Sequence, residues 1–389
     1  MDISVFFKPV SLRDFNIDDQ QPALWGNNAT FFTGDLEEIE GKKLALIGVA
    51  EDRNGGQNTG TALGPNDVRQ ELYALYHFDR NPDFIDLGNI EAGNEVSDTY
   101  FALNQTCQYL LKKNIIPIII GGSQDLTYAN YLAYEKMEQT VNLVTIDHRL
   151  DFGSQPEDET SRGYLNKIVL HKPNYLFNYS NIGHQRYLTD PQMLDLMNKM
   201  YFDAYRIGEM QHQFILRNEP VIRNADLLSI DISAIRMGES PGCAYAGPNG
   251  FYGHEAAQLC WYAGMSDKLT SFGIYEYNPA FDRDRQSAKL IAQMIWCFVD
   301  GFLMRKSDYP VGSYDDYLKY IVNLTTESHE LIFYKSNKSD RWWMDVPYPA
   351  GSESKYERHH LVPCTYEEYQ QATNDEMPDK WWKTYQKLV

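Results

Sequence analysis

Residues 141–151 read VNLVTIDHRLD, an apolar run that ends in two aspartates, Asp147 and Asp151. We interpret the run as a buried strand, because it is short and nearly continuous in apolar residues. Similar runs recur along the chain, at residues 43–49, 83–88, 114–120, 226–232 and 269–276. Stretches of helical character, such as residues 98–113 and 287–304, separate them. Buried strands that alternate with helices predict an α/β protein with a parallel sheet covered on both faces.

The C-terminal part of the chain has a different character. Residues 305–389 are rich in Tyr and Trp, interleaved with charged and turn residues, and do not resemble another strand–helix unit. We therefore predict one α/β domain over residues 1–304 and a C-terminal extension over residues 305–389. Aromatic side chains bury well wherever they land. The extension is thus expected to pack on its own domain, with docking of a protein partner as the alternative.

Composition limits the classes of partner. Of the 389 residues, 35 are Lys or Arg and 54 are Asp or Glu, which gives a net charge of −19. Such a surface repels phosphate backbones and anionic lipid, so we expect no nucleic acid partner and no membrane insertion. No secretory signal is visible at the N-terminus. The five cysteines form no CxxC pair, which favours reduced thiols and a cytoplasmic location.

Short motifs stand at the predicted strand ends in a distinctive order. They are Gly64-Pro65-Asn66-Asp67-Val68-Arg69, Asp86-Leu87-Gly88, Gly121-Gly122-Ser123-Gln124, Asp147-His148-Arg149-Leu150-Asp151, Ser229-Ile230-Asp231-Ile232-Ser233 and Glu276-Tyr277-Asn278-Pro279. This order, over residues 43–303, resembles the ureohydrolase family of arginase, agmatinase and formiminoglutamase. The resemblance implies a three-layer α/β/α fold with about eight parallel strands. It also implies a bridged manganese pair, hydrolysis of guanidino or formimino C–N bonds, and a homo-oligomer, since family members often form trimers or hexamers.

The metal-ligand positions depart from the family pattern. The family uses two imidazoles and four carboxylates, because two divalent cations need strong anionic compensation. The matching positions here hold Gln124, Asp147, Arg149, Asp151, Asp231 and Ser233. Both histidines and one aspartate are replaced, and a guanidinium is always protonated and cannot ligate a metal. The resemblance therefore predicts that the metal site is lost and that no cofactor is bound.

Two neighbouring residues, His148 and Asp125, are candidates to replace the missing metal ligands. Side chains alternate faces along a strand, so Asp147, Arg149 and Asp151 are expected on one side and His148 on the other. His148 is then a packed or hydrogen-bonded residue rather than a ligand, and Asp125 is a weaker replacement. Arg149 is predicted to supply the counter-charge for the aspartates, because buried charges need partners. The alternative is that the aspartates cap loops and helices.

Two further site residues follow from the resemblance. In residues 161–167, Asn166 takes the place of the family's catalytic histidine, so no catalytic residue is assigned with it. Glu276 matches the carboxylate that holds the substrate's guanidinium or amidine, and it is expected to bind a small cation or to pair with Arg149. These roles are carried over from the family and not from spacing.

Three functions remain open from the sequence. The leading prediction is a non-catalytic scaffold, a pseudoenzyme kept for ligand sensing or for partner binding through residues 305–389. The second is a hydrolase of a linear guanidino or formimino C–N bond, with one ion such as manganese held by Asp147, Asp151 and Asp231. The third is a metal-free enzyme with Cys243 as nucleophile, although free cysteines are more often buried structural residues.

Overall fold

The computed structural model describes residues 2–152, 160–310, 314–325, 330–351 and 356–389. The strands are β1 (Phe7–Lys8), β2 (Thr30–Phe31), β3 (Leu44–Ala50), β4 (Phe84–Glu91), β5 (Ile116–Ile120), β6 (Val141–Ile146), β7 (Leu176–His184), β8 (Asp203–Arg206), β9 (Leu227–Asp231), β10 (Ser271–Tyr275), β11 (Tyr317–Asn323), β12 (Glu330–Ser336), β13 (Trp342–Asp345) and β14 (Leu361–Cys364). The helices are α1 (Gly64–Tyr73), α2 (Val96–Lys112), α3 (Leu126–Tyr131), α4 (Tyr164–Leu170), α5 (Pro191–Lys199), α6 (Ile207–Met210), α7 (Asn218–Arg223), α8 (Gly253–Met265), α9 (Gln286–Leu303), α10 (Tyr366–Thr373) and α11 (Asp379–Leu388).

The large sheet is parallel along its main path. Its strands lie in the order β4-β3-β5-β10-β9-β6-β7-β8, with every neighbouring pair parallel. The two-residue strands β1 and β2 both pair with β4, β1 antiparallel and β2 parallel. The sequence prediction of an α/β fold with about eight parallel strands is confirmed.

Helices cover both faces of this sheet. Along β3, Leu44 and Leu46 enter the core that α1, α8 and α9 close, whereas Ala45 and Ile47 enter the core that α2, α3 and α4 close. The alternation follows from the two-residue period of a strand, and it produces the three-layer architecture. Helices α8 and α9 pack so closely that a Cβ on Gly264 would lie 2.0 Å from the Phe298 carbonyl oxygen.

The motif at residues 64–69 begins α1 and buries an ion pair. Arg69 donates to Asp86 on β4 through Nε (2.7 Å) and through one terminal nitrogen (2.9 Å). Tyr73 OH donates to the same carboxylate, and all three side chains are inaccessible to solvent. Because each charge has a directional partner, the pair fixes α1 against β4.

The C-terminal residues form a second, antiparallel sheet, with strands in the order β11-β12-β13-β14. The C-terminal residues contact the large domain near the amino ends of the strands of the large sheet. Arg358 lies 2.6 Å from Asp226, which precedes β9, and the ring of His359 stacks on Phe177 of β7 at 3.9 Å between centroids. The domain boundary at residue 304, a protein partner and a homo-oligomer stay predictions.

None of the helices in the described ranges combines the length and the apolar character that a bilayer crossing requires. The cytoplasmic location stays a prediction.

Candidate metal centre

The sheet order brings four strand ends side by side. Strands β5, β10, β9 and β6 are consecutive neighbours, and Tyr275 pairs with Asp231 at the carboxyl edge. The residues at or just beyond these ends are Gln124, Glu276, Asp231 and Asp147. The carboxyl edge is where open α/β sheets bind ligands. Groups that are far apart in the sequence therefore meet in one place, as the backbone N–H of Gln124 and the Glu276 carboxylate do across 152 positions.

Three residues at this edge form a cluster with the chemistry of metal ligands. Asp147, His148 and Asp231 each offer a ligand atom, and these atoms lie within 4.8 Å of one another. All three residues are buried. The Nδ1 atom of His148 is 3.2 Å from Asp147 Oδ1 and 2.6 Å from Ser233 Oγ. Carboxylates and an imidazole at this spacing suit a divalent cation.

The position of His148 corrects the sequence interpretation. Strict alternation places His148 on the face opposite Asp147, but β6 ends at Ile146 and the chain bends at His148 and Arg149. Alternation applies only while the backbone is extended. The bend turns the imidazole towards Asp147 and Asp231, so the ligand cluster contains it.

Arg149 does not take the place of the metal. Its Nε donates to His148 Nε2 at 3.1 Å, and its backbone N–H donates to Asp147 Oδ1 at 2.9 Å. Within the described part of the chain, its half-exposed guanidinium forms no ion pair with a carboxylate. The predicted arginine–aspartate cluster is therefore wrong, because the bend directs the side chain past the imidazole. The Nε2 atom of His148 accepts this hydrogen bond, so the ring presents Nδ1 to Asp147 and Ser233.

The carboxylates of the cluster are crowded. Burial, followed by the charge of Asp147, raises the pKa of Asp231 to about 6 and that of Asp151 well above its ordinary value. Burial also acts to raise the pKa of Asp147, but the hydrogen bond and charge of His148 outweigh it, and the pKa is lowered. Two of the three neighbouring carboxyls thus resist ionisation, first because they are buried and then because negative charge lies close to them.

Asp147 and Asp231 cap the turns after their strands and also belong to the ligand cluster. Asp231 Oδ1 accepts from the backbone N–H of Ser233 at 2.7 Å, and Asp147 Oδ1 is held by the Arg149 amide. These bonds fix the two carboxylates on the turns that follow their strands. The alternative interpretation of the aspartates as caps therefore describes real contacts, and it does not exclude the cluster.

Glu276 is held rigidly beside the cluster. Its Oε1 accepts from the Gln124 backbone N–H at 2.8 Å and its Oε2 accepts from Asn58 Nδ2 at 2.7 Å. The residue is buried, and burial followed by the charge of Asp231 raises its pKa to about 8. Glu276 is therefore not paired with Arg149. Sequence reasoning missed Asn58, whose only signal was the Gly-rich stretch after β3.

Gln124 and Ser233 occupy their positions without acting as charged ligands. Gln124 Nε2 donates to Ser229 Oγ at 3.3 Å, and its Oε1 is buried with no partner among the described residues. Ser233 contacts His148 where the family carries a carboxylate. Asp125 accepts from Asn54 at 3.0 Å and from Tyr100, and it is outside the ligand cluster.

Cys243 and Asn166 are the last two residues that the sequence analysis singled out. Cys243 is buried, and burial followed by the charges of Asp231 and Glu276 raises the pKa of its thiol well above the ordinary value. Because only the thiolate is a good nucleophile, this environment contradicts the Cys243 mechanism. Asn166 lies half-buried on α4, and its match to the catalytic histidine position stays a prediction.

The residues present fit a divalent cation. The fit rests on the donor set of Asp147, His148 and Asp231, and it agrees with the burial and mutual repulsion that raise the pKa values of Asp231 and Asp151. A cation would favour the ionised carboxyls and release their protons.

Comparison with known proteins finds one family along most of the chain. Residues 42–300 match the model described as the Arginase family. A formimidoylglutamase from Streptococcus gordonii is 26% identical over 305 residues, covering 72% of this chain and 91% of the relative. One from Staphylococcus epidermidis is 25% identical over 301 residues, covering 71% of this chain and 93% of the relative.

Solved structures show the same fold. A formiminoglutamase from Trypanosoma cruzi with Mn²⁺ superimposes with a TM-score of 0.63 at 18% identity, covering 69% of this chain and 95% of that chain. A formimidoylglutamase from Bacillus subtilis gives a TM-score of 0.63 at 18% identity, covering 77% of this chain and 93% of that chain.

These findings correct the functional prediction. The non-catalytic scaffold predicted from the lost ligands is wrong, since relatives matched over most of their length are named formimidoylglutamase and His148 joins Asp147 and Asp231 in a ligand cluster. The expectation of no cofactor is likewise unsupported, because a structure of the same fold carries Mn²⁺. The error came from counting ligands only at the family's own positions.

Proposed function

Because this chain belongs to the arginase family, we propose that it is a metal-dependent hydrolase of a linear C–N bond, with a formimino compound as substrate ahead of a guanidino one. The names of the matched relatives support the formimino choice. The observation that carries the proposal is the buried cluster of Asp147, His148 and Asp231, because its ligand atoms converge at the carboxyl edge of the sheet.

Asp147, His148 and Asp231 would hold a single divalent cation, with manganese the first choice for this mixed oxygen and nitrogen set. When bound, such a cation lowers the pKa of a water molecule and polarises the carbon–nitrogen group under attack. The ligand set is reduced relative to the family, since Gln124, Arg149 and Ser233 replace three of its ligands.

Glu276 is suited to bind the cationic end of the substrate. Asn58 and the Gln124 amide fix both carboxylate oxygens, so the group is oriented before substrate arrives. Burial, followed by the charge of Asp231, raises its pKa to about 8. A formimino or guanidino cation would favour the ionised form and gain an ion pair in a site with little water.

Asp151 would hold or move a proton next to the reacting bond. Its carboxyl shares a hydrogen bond with Asp147, and burial with that neighbouring charge raises its pKa well above the ordinary value. Cleavage of a C–N bond leaves an amine that needs a proton. Asp151 is therefore the residue of this chain that we assign to proton handling.

The test combines metal content with product release. Purified protein loaded with Mn²⁺ is assayed for formamide and ammonia from a formimino amino acid, and for urea from a guanidino compound. Asp231→Asn should lower both metal content and turnover, whereas Asp195→Asn, at an exposed position on α5, should lower neither. Absence of bound metal and of product from both substrate classes would overturn the proposal.

A further inference from the structure

A cavity of about 220 Å³ lies at the same edge of the large sheet as the metal cluster. Segments that follow three strand ends line it, with Tyr187 after β7, Ile207 after β8 and Arg236 after β9. Strand β6, which the metal-cluster residues Asp147 and His148 follow, lies between β9 and β7. The cavity has room for roughly seven water molecules, and therefore for a short-chain organic molecule.

Arg236 presents free hydrogen-bond donors to this cavity. Its guanidinium carbon lies 4.6 Å from the centroid of the Tyr252 ring, and its backbone N–H donates to the Phe251 carbonyl oxygen at 3.2 Å. In the part of the chain that the structure describes, the side-chain N–H groups of Arg236 donate to no protein acceptor and pair with no carboxylate. Because contact with the face of the Tyr252 ring does not use these N–H groups, all of them stay available to a ligand.

The carboxylates close to the cavity are engaged elsewhere. Glu239 accepts from the backbone N–H of Gly253 at the start of α8. The buried Glu255 accepts from the backbone N–H groups of His212 at 2.6 Å and Tyr252 at 2.9 Å. Neither glutamate lines the cavity, and neither does any other Asp or Glu of the described residues. The positive charge beside the cavity therefore stabilises an anion placed there, although the chain as a whole carries a net charge of −19.

The rest of the lining favours a carboxylic acid over an inorganic anion. Ile207, Pro248 and the Tyr187 ring give apolar surface beside the guanidinium, which suits a hydrocarbon chain. A guanidinium binds a carboxylate through two parallel N–H···O bonds. The polar wall is also fixed before a ligand arrives, since Asn249 Nδ2 donates to Tyr187 OH at 3.0 Å and Gln185 Nε2 donates to the Asn249 carbonyl oxygen at 3.0 Å.

We propose that this cavity binds the carboxylate group of a short aliphatic acid, and that Arg236 is the residue that recognises it. The apolar walls hold the chain of the acid. The site is distinct from the metal cluster but adjoins it, because the backbone N–H of Gln185 donates to the His148 carbonyl oxygen at 2.9 Å. The carboxylate belongs either to a free acid or to the far end of a substrate held at the metal cluster, and the second source rests on the proposed function.

The test measures binding of glutarate to the full chain by calorimetry at constant ionic strength. Glutaramide, which has nearly the same shape and no charge, is the control ligand. We expect saturable binding of one glutarate per chain and no detectable binding of glutaramide. Arg236→Gln should weaken glutarate binding by about tenfold or more, and Arg236→Lys by less, because lysine keeps the charge but not the two parallel bonds.

A matched variant separates contact from general electrostatics. Arg206→Gln removes the same charge at an exposed position next to the lining residue Ile207, and it should change the affinity for glutarate by less than about twofold. Circular dichroism spectra and thermal midpoints verify that the variants fold. A loss of affinity in Arg206→Gln equal to that in Arg236→Gln overturns the proposal, because the effect is then one of net charge.

The other outcomes decide the proposal without any need for turnover, so they stand whether or not the chain is a hydrolase. Absence of saturable glutarate binding to the wild-type chain overturns it, as does equal binding of glutaramide. Binding that Arg236→Gln leaves unchanged overturns it too, and its loss in Asp231→Asn would then place glutarate at the metal cluster.

Kinetics distinguish the two sources of the carboxylate once turnover is measured. Competitive inhibition by glutarate that Arg236→Gln removes supports the proposal and assigns the cavity to the substrate's own carboxylate. Glutarate binding that depends on Arg236 but does not compete with substrate supports the proposal and assigns the cavity to a free acid.

Discussion

His148 Nδ1 lies 2.6 Å from Ser233 Oγ, across the ends of two adjacent strands. The contact exists because the bend after β6 turns the imidazole inward and because Ser233 is short enough to leave room for it. A carboxylate at position 233 would compete for that space. The chain thus carries its histidine one position before the one where the family places it, and the serine that replaces an aspartate helps to orient it.

The first prediction concerns this histidine. His148→Ala should weaken Mn²⁺ binding by more than about tenfold, since it removes the only imidazole of the ligand cluster. Isothermal titration with Mn²⁺ provides the measurement, and His254→Ala, at an exposed position on α8, is the matched control. Unchanged Mn²⁺ affinity in the His148 variant would show that carboxylates alone hold the ion.

The second prediction restores the family's ligand set. The triple variant Gln124→His, Arg149→His and Ser233→Asp should raise the metal content from one Mn²⁺ per chain towards two, because it adds two imidazoles and one carboxylate at the same strand ends. Metal analysis gives the stoichiometry, and electron paramagnetic resonance distinguishes a lone Mn²⁺ from a coupled pair. A content that stays at one ion would mean that the backbone around the site has also diverged.

The fold was predictable because each buried strand can be recognised from its own run of apolar residues. The apolar runs at residues 43–49 and 141–146 became β3 and β6, and their lack of alternating polar residues required cover on both faces. The strand order was not derivable from such runs, since β5, β10, β9 and β6 are neighbours in space but not in sequence. The two-residue strands β1 and β2 are too short to have a periodic signal.

The site was predictable only in part. Asp147 and Asp231 follow from their positions at strand ends, but the direction of His148 depends on where β6 stops, and one residue of extension reverses it. Asn58 was missed because it reaches Glu276 across 218 positions from a loop with no period. Arg149 was assigned by charge alone, whereas its orientation is set by the same bend.

The third prediction concerns stability. Asp86→Asn should lower the free energy of unfolding by about 3–5 kcal/mol, because it leaves the fully buried Arg69 guanidinium without its counter-charge. Urea unfolding measures the change. The control is Glu91→Gln, which breaks the exposed contact with Lys8 and should have no measurable effect. Equal losses for the two variants would contradict the special role of the buried pair.

The last prediction concerns pH and the contact between the large domain and the C-terminal residues. Lys268 is 2% exposed and donates to Asn224 Oδ1 at 2.9 Å and to the Arg358 carbonyl oxygen at 3.1 Å. Burial lowers its pKa from 10.5 to about 8, an effect that Asp226 partly opposes. Between these two values the unfolded chain binds one proton more than the folded chain, so the free energy of unfolding contributed by Lys268 rises with pH.

The penalty for burying the ammonium is therefore complete below about pH 8 and disappears above about pH 10.5. Over this window the free energy of unfolding of the wild-type chain should rise by about 3 kcal/mol relative to that of Lys268→Met, which lacks the titrating group. Urea unfolding of both proteins across the window measures the difference in slope. Lys306→Met, at an exposed position, should follow the wild-type curve. Parallel curves for wild type and Lys268→Met would mean that Asn224 and the Arg358 carbonyl solvate the ammonium as well as water does.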